Sequence, residues 1–232
     1  MKKIGIIGGI GPESTVDYYK QIIAAFQKRG AGLTYPEIII YSADLSELLA
    51  IIENQQWERM TDWLSARVEA LHRAGAEFGA IASNTPHAVF DAVQARSPIP
   101  LVSIVHAACE AAQQMELKRP GLLGTAFTMG ADFYPRAFAQ AGMRIMVPDQ
   151  AAQVLIQQRL FSEIELGVIK ESTRGELVAI VKQMIQAQAI DSLILGCTEL
   201  PLVLDQSHFT IPVLNTTALH AQSIVRHCLA AD

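Results

Sequence analysis

The sequence contains no long apolar run, no run of basic residues and few aromatic side chains. Half of its 232 residues are hydrophobic, yet no stretch of about 18 apolar residues occurs, so we expect no membrane-spanning segment. Only 18% of the residues are charged and the formal net charge is −5, which argues against nucleic acid as a partner. A chain of this length and apolar content can bury a large core, in one two-part domain or two small ones.

Cysteine is also scarce. The three cysteines are odd in number and far apart, which does not indicate a disulfide framework and favours a reduced, cytoplasmic protein. Cys109 and Cys228 fall within helical patterns of alanine and leucine, and we interpret both as packing residues. Cys197 differs, because it follows an apolar run and stands in the sequence Gly-Cys-Thr-Glu.

The N-terminal segment is rich in glycine. Residues 3–8 are typical of a strand, and a turn leads from there into a helix that we expect to run from Pro12 to about Arg29. The turn has part of a dinucleotide-binding pattern, but Ser14 stands at the third glycine position and no acidic residue closes the second strand. No lysine stands in a motif that would indicate a pyridoxal enzyme. We therefore predict neither a dinucleotide nor a pyridoxal cofactor.

An internal repeat organises the chain. Strand-like and helix-like segments alternate in both halves, which predicts parallel sheets flanked by helices. The sequence thus favours an α/β fold of two similar halves related by a pseudo-twofold axis. Three landmarks recur: Gly5 as Gly121 after 116 residues, Ser83 as Cys197 after 114, and Ile99 as Ile211 after 112.

Two of the predicted strands end in similar polar tips. The run before Ser83 and the run before Cys197 are both apolar, and ligands of open α/β sheets bind at the carboxyl ends of strands. We expect a helix to begin at Cys197, where its dipole would stabilise the thiolate. Glu199 could orient a neighbouring group or accept a proton from it.

Three motifs resemble those of the pyridoxal-independent aspartate/glutamate racemase family. They are Gly8–Thr15, Ser83–His87 and Gly196–Pro201. The resemblance covers nearly the whole chain and implies two three-layer αβα domains, residues 1–99 plus 212–232 and residues 100–211, with the active site in the cleft between them. It also implies a homodimer that binds a small dicarboxylic amino acid and needs neither metal nor coenzyme.

The resemblance implies a proton-transfer mechanism with one residue on each face of the substrate. Family members typically carry two cysteines, one of which removes the Cα proton while the other delivers a proton to the opposite face. Here Cys197 holds one position and Ser83 the other, and a hydroxyl is a far weaker acid than a thiol. Two alternatives to an aspartate or glutamate racemase stay open: a one-cysteine decarboxylase of a malonate-type acid, and a catalytically weak amino-acid-binding homologue.

Substrate contacts are expected from both halves. Lys170 matches a lysine that some members use near the substrate's carboxylates, whereas the loop from Ser42 to Ser46 lacks the arginine that some relatives have there. Glu199 and His87 are assigned to the surroundings of the catalytic pair, and the histidines have no ligand-like spacing, so no metal site is predicted. The expected substrate-binding residues are Gly9, Ile10, Gly11, Ser14, Asn84, Thr85, Thr125, Thr128, Lys170 and Thr198.

Overall fold

The computed structural model of the chain describes residues 1–30 and 32–230. These residues form two compact units. Unit 1 comprises residues 1–104 and the C-terminal segment from Thr217, and unit 2 comprises Val105–Thr216.

All strand pairs between the named strands are parallel in both units. Unit 1 has a four-stranded sheet in the order β2-β1-β3-β4, and unit 2 a three-stranded sheet in the order β5-β6-β7. The strands are β1 (Ile4–Gly8), β2 (Ile38–Ser42), β3 (Phe78–Ile81), β4 (Leu101–Val102), β5 (Pro120–Leu123), β6 (Ser192–Leu195) and β7 (Val213–Asn215).

Helices follow the strands in both units. The division between the units falls at the first residues of α5 and α10. The helices are α1 (Pro12–Lys28), α2 (Leu45–Glu53), α3 (Trp57–Arg73), α4 (Phe90–Arg96), α5 (Ile104–Gln114), α6 (Ala126–Gly130), α7 (Phe133–Gln140), α8 (Gln150–Ser162), α9 (Glu171–Gln188) and α10 (Thr216–Leu229).

The sheet of unit 1 is covered on both faces. Successive side chains of a strand point to opposite faces. Ile4 and Ile6 accordingly pack with buried residues of α1 and α10, whereas Ile7 packs with buried residues of α2 and α3. Unit 1 is therefore a three-layer αβα arrangement, in agreement with the expected fold class.

Unit 2 has its own apolar core. Leu123 of β5 and Leu195 of β6 are buried together with the inner sides of α8 and α9, and Cys197 belongs to the same cluster. The sulfur that the sequence singled out thus lies at the edge of a packed core.

The strand registers confirm the internal repeat. In unit 1, Ile4 pairs with Phe78, and advancing the two residues by 116 and 114 positions gives Pro120 and Ser192, which pair in unit 2. The next pair behaves in the same way, because Gly79 pairs with Leu101 and Leu193 with Val213. The two sheets therefore repeat both in strand order and in register.

Two local expectations were wrong. The polar loop after β2 is shorter than expected, since α2 begins at Leu45 and Asp44 caps it by accepting a hydrogen bond from Ser46 N at 2.8 Å. The sequence from Ile99 to Ile104 is also apolar enough to predict a strand over its whole length, but the strand contains only Leu101 and Val102. Within the described part of the chain, no helix is both long enough and apolar enough to cross a membrane.

Candidate active site

The tip of unit 2 is formed where two neighbouring strands end. Leu123 of β5 pairs with Leu195 of β6, and Gly196 N donates a hydrogen bond to Leu123 O at 2.6 Å. A Cβ atom at Gly196 would lie 2.6 Å from Leu122 Cδ1, so only glycine fits between the ends of β5 and β6. This close packing fixes the start of the Gly196–Glu199 segment against the sheet.

Cys197 faces two carboxylates. Its Sγ lies 3.2 Å from Glu199 Oε2 and 3.4 Å from Glu165 Oε1, and the residue is 7% exposed. Glu165 comes from the 3₁₀ segment Ile164–Leu166 after α8. Because a thiol has one hydrogen, it donates to one carboxylate at a time.

The thiolate expected at Cys197 is not favoured. Burial, followed by the charges of Glu199 and Glu165, raises the pKa of the Cys197 thiol well above its ordinary value. The helix assumed at Cys197 is also missing, since a 3₁₀ segment of three residues, Leu200–Leu202, follows instead. The resting group is therefore a protonated thiol.

Glu165 titrates near neutrality. Burial and then the charge of Glu199 raise the pKa of the Glu165 carboxyl to about 7. A carboxyl with this pKa gains and loses a proton readily at neutral pH, and it contacts the sulfur directly. Glu165 is thus a suitable proton partner for Cys197.

Glu199 is held by Thr198 on one oxygen only. Thr198 Oγ1 donates to Glu199 Oε2 at 2.7 Å, which occupies the hydroxyl hydrogen that a substrate carboxylate would need. Glu199 Oε1 is buried and has no hydrogen-bond partner. Such an unsatisfied buried oxygen indicates a place where a further ligand would be stabilised.

Thr125 and Thr128 follow β5 at the same edge of the sheet. Thr125 caps α6, and its Oγ1 accepts from Thr128 N at 3.1 Å and lies 3.0 Å from Thr128 Oγ1. Thr128 is fully buried, whereas Thr125 is partly exposed. Of the two predicted contacts, Thr125 is therefore the accessible one.

Lys170 pairs with a different carboxylate. Its Nζ lies 3.2 Å from Glu163 Oε1, and Arg159 Nη1 lies 3.0 Å from the same oxygen. Thr173 contributes a hydrogen bond to the other oxygen of Glu163. Lys170 therefore lies near the Glu165 segment but is engaged in a local ion-pair network.

The tip of unit 1 is built around Ser83, which is partly exposed two residues after β3. His87 anchors this tip through both ring nitrogens. Nε2 accepts from Ile104 N at 3.2 Å, so Nδ1 carries the hydrogen and donates to Ser83 O at 2.9 Å. His87 consequently positions the Ser83 backbone and is not arranged to take the Ser83 hydroxyl proton.

The glycine-rich loop of unit 1 is satisfied internally. Gly9 has φ +80°, and a Cβ there would lie 2.3 Å from Ala43 O, so glycine is required. Gly9 N donates to Thr15 Oγ1 at 2.9 Å, Ser14 Oγ donates to Gly11 O at 2.9 Å, and Ile10 is buried in the core. These groups shape the loop, and Gly9 N and Ser14 Oγ already have partners within it.

Asn84 and Thr85 complete the Ser83 tip. Asn84 is buried, and its carbonyl accepts from His87 N at 2.9 Å. Thr85 is partly exposed and opens the 3₁₀ segment Thr85–Val89, which leads into α4. Of this pair, Thr85 is the more accessible to a substrate.

Two residues of the tips were missed by sequence reasoning. Thr15 holds the glycine loop, and Glu165 contacts the thiol from 32 positions upstream. Glu165 stands in an ordinary Ser-Glu-Ile-Glu-Leu stretch, and nothing in that stretch distinguishes it from a solvated glutamate. The structure thus brings Cys197, Thr198, Glu199 and Glu165 together within unit 2.

The chain is similar to a racemase and to racemase homologues over nearly its full length. The broad specificity amino-acid racemase RacX of Bacillus subtilis (strain 168) is 27% identical over 230 residues, which cover 98% of each chain. A solved structure from Yersinia pestis has a TM-score of 0.91 and 32% identity, covering 99% of this chain and 100% of that one. An aspartate racemase homologue from Pyrococcus horikoshii OT3 has a TM-score of 0.86 and 36% identity, with the same coverage.

The family expected from the motifs is confirmed by the sequence as a whole. Residues 7–224 match the family described as Asp/Glu/Hydantoin racemase, and this range contains both polar tips and every strand from β2 to β7. The chain therefore belongs to the Asp/Glu/Hydantoin racemase family.

Proposed function

We propose that this chain is a cofactor-independent amino-acid racemase that acts on aspartate, glutamate or both by moving the Cα proton. Cys197 is the acid/base on one face of the substrate, and Ser83, its counterpart in the repeat, serves the other face. The observation that carries the proposal is the Cys197 thiol, which is buried and within hydrogen-bond distance of two carboxylates.

The first step prepares the base. The Cys197 thiol gives its proton to Glu165, whose pKa of about 7 makes it an acceptor at neutral pH. The thiolate then takes the Cα proton, and the electron pair of the broken C–H bond is delocalised into the substrate carboxylate. The result is a planar intermediate and a neutral thiol.

The charge of the substrate assists this transfer. Burial, followed by the charges of Glu199 and Glu165, raises the pKa of the Cys197 thiol, and among the described residues the nearby cations Lys170 and Arg159 pair with Glu163 instead. The α-ammonium group of an amino acid, placed against these carboxylates, offsets their charge and lowers the thiol pKa towards neutrality. Substrate binding therefore activates the base.

The opposite face is served less well. The Ser83 hydroxyl can donate a proton to the intermediate but cannot rest as an anion, and His87 has both ring nitrogens engaged elsewhere. Protonation from this face must then be completed by a water that returns a proton to Ser83. Proton exchange on the Cys197 face is consequently faster than inversion.

The relatives support the assignment of the reaction class. RacX is described as a broad specificity amino-acid racemase, and the Pyrococcus horikoshii protein as an aspartate racemase homologue. We carry the amino-acid racemase activity over to this chain, together with the expected cytoplasmic location and homodimeric assembly.

Proton NMR in D₂O tests the proposal. The purified protein is incubated with L- and D-aspartate and with L- and D-glutamate, and loss of the Cα proton signal is followed together with inversion. We expect deuterium uptake with at least one of these amino acids. If none exchanges, while carbon dioxide is released from a malonate-type acid, the protein is a decarboxylase and the racemase proposal fails.

A further inference from the structure

Cys197, Glu165 and Glu199 form a cluster of metal-type donors. One ligand atom from each lies within 4.8 Å of the other two. Thiolate sulfur with carboxylate oxygen is a donor set that borderline-soft divalent cations such as zinc accept, whereas magnesium and calcium prefer oxygen alone.

The spacing of the donors fits a tetrahedral ion. Zinc bonds of about 2.0–2.3 Å at tetrahedral angles place neighbouring donors roughly 3.3–3.8 Å apart. The two distances from Cys197 Sγ, 3.2 Å to Glu199 and 3.4 Å to Glu165, are close to this range. The ligand atoms of Glu165 and Glu199 lie within 4.8 Å of each other. Because Glu165 is partly exposed, its side chain has room to rotate and bring its oxygen closer to Glu199.

An independent observation points to a ligand at this place. Glu199 is 5% exposed, and its Oε1 is buried with no hydrogen-bond partner. This oxygen belongs to the carboxylate that faces the sulfur. A buried carboxylate oxygen left unsatisfied is costly, and a cation bound beside the sulfur would satisfy it.

The cluster also lacks a compensating charge. Among the residues that the structure describes, neither Glu165 nor Glu199 forms an ion pair with a lysine or arginine. The nearby cations Lys170 and Arg159 are instead paired with Glu163. A bound cation would supply the missing positive charge.

We propose that Cys197, Glu165 and Glu199 bind a zinc-type divalent cation, and that its occupancy reversibly removes the thiol from proton transfer. On binding, the Cys197 S–H bond breaks, its proton leaves to solvent, and the sulfur electron pair forms the bond to the metal. The Glu199 carboxylate and one oxygen of Glu165 complete the protein ligands. The remaining position is open to water.

Binding of zinc alone to the full chain tests the site without any activity assay. Isothermal titration calorimetry should give one zinc per chain, with no heat of binding for magnesium. Cobalt should give a thiolate-to-metal charge-transfer band, which reports sulfur ligation directly. The substitution C197A should abolish that band, and E165Q should weaken zinc binding on the order of 100-fold, as expected for a change in a metal's ligand environment.

Matched variants separate the site from other thiols and carboxylates. C109S and E171Q change a buried thiol and an exposed carboxylate of the same unit, and both should bind zinc like the parent. Circular dichroism of each variant verifies that it is folded. The proposal is overturned if the parent does not bind zinc, or if C197A or E165Q binds it with unchanged affinity. A loss in C109S equal to that in C197A would also overturn it.

Discussion

The two strand tips show how one scaffold can carry unequal chemistry. An offset of 114 residues relates Ser83 to Cys197, Asn84 to Thr198 and Thr85 to Glu199, and the paired strand registers carry the same offset. Around Ser83 the described contacts come from neutral groups, whereas Cys197 contacts two carboxylates. Among the described contacts, carboxylates therefore surround the thiol tip and not the hydroxyl tip.

The two sheets also differ at one edge. In unit 1, β2 pairs with β1 over five residues, from Ile4↔Ile38 to Gly8↔Ser42. In unit 2 the corresponding position beside β5 holds Met146, which makes an isolated parallel bridge with Gly121. Unit 2 thus has the strands that position its tip, but it has only an isolated bridge at the edge where unit 1 has β2.

Removing the Cys197 thiol should have the largest effect on the rate of Cα proton exchange. C197A should lower Cα proton exchange by at least about 10³-fold, because it removes the acid/base group of the better-equipped tip. C109A, a buried thiol of the same unit whose Sγ lies 3.7 Å from Ala137 O, is the matched control and should exchange at the parent rate. Exchange in C197A at the parent rate would assign the base elsewhere.

Removing the partner carboxylate should have the next largest effect. Glu165 must be deprotonated to accept the thiol proton, so the parent exchange rate should rise with pH through about 7. E165Q should lower the rate by about 10²-fold and eliminate this rise. The pH–rate profile of the exchange reaction provides the measurement.

E171Q is the control for this second prediction, since it removes a nearby exposed carboxylate that pairs with Arg174. It should keep both the rate and the rise near pH 7. A parent-like pH profile in E165Q would show that another group accepts the thiol proton.

Making the tips more alike should have a smaller effect. S83C introduces a thiol at the tip that the described carboxylates do not surround. Because a thiol is a stronger acid than a hydroxyl, inversion should rise by roughly tenfold relative to exchange. Adding T85E supplies the counterpart of Glu199, whose charge raises the pKa of the Cys197 thiol. The double variant S83C/T85E should therefore lose part of the gain.

The measurement for these variants is the ratio of inversion to Cα deuterium uptake for each enantiomer. Parent protein should show uptake ahead of inversion for one enantiomer. An unchanged ratio in S83C, with the variant folded, would mean that Ser83 is not the second proton carrier.

The repeat and the two tips could be predicted because their signals are local. Glycines at strand ends and apolar runs depend on neighbouring residues only, and the offsets of 116 and 114 residues gave the strand registers as well. The helix α2 was also predictable, since Asp44 followed three positions later by Glu47 is an N-terminal signature. From the sequence, however, residues 42–46 were interpreted as a loop.

The environment of Cys197 could not be predicted in the same way. Glu165 reaches the thiol through the path of the chain between α8 and α9, which depends on tertiary packing. The thiolate was expected because a helix was assumed at Cys197, and the three-residue 3₁₀ segment there has no comparable dipole. Burial, together with the two neighbouring carboxylates, instead raises the pKa of the Cys197 thiol.

The last expected effect concerns the pH dependence of stability, which the two units need not share. In unit 1, His220 Nε2 donates to Val102 O at 2.9 Å, so Nδ1 accepts from Tyr18 Oη at 2.8 Å. The ring of His87 lies edge-on with its centroid 6.3 Å away. Burial lowers the His220 pKa from 6.5 to about 4.

An unfolded chain protonates this histidine near pH 6.5 while the folded protein keeps it neutral to about pH 4, so the unfolded state binds more protons between these values. The contribution of His220 is therefore complete above pH 6.5 and is lost as the pH falls, by about 3 kcal/mol in all. Both tryptophans, Trp57 and Trp63, lie in unit 1, so their fluorescence reports its unfolding. H220Q should be less stable than the parent at pH 7 but should lose less stability between pH 6.5 and 4.5, whereas H72Q, at an exposed histidine of α3, should keep the parent slope. Equal slopes in H220Q and the parent would show that another group causes the acid sensitivity of unit 1.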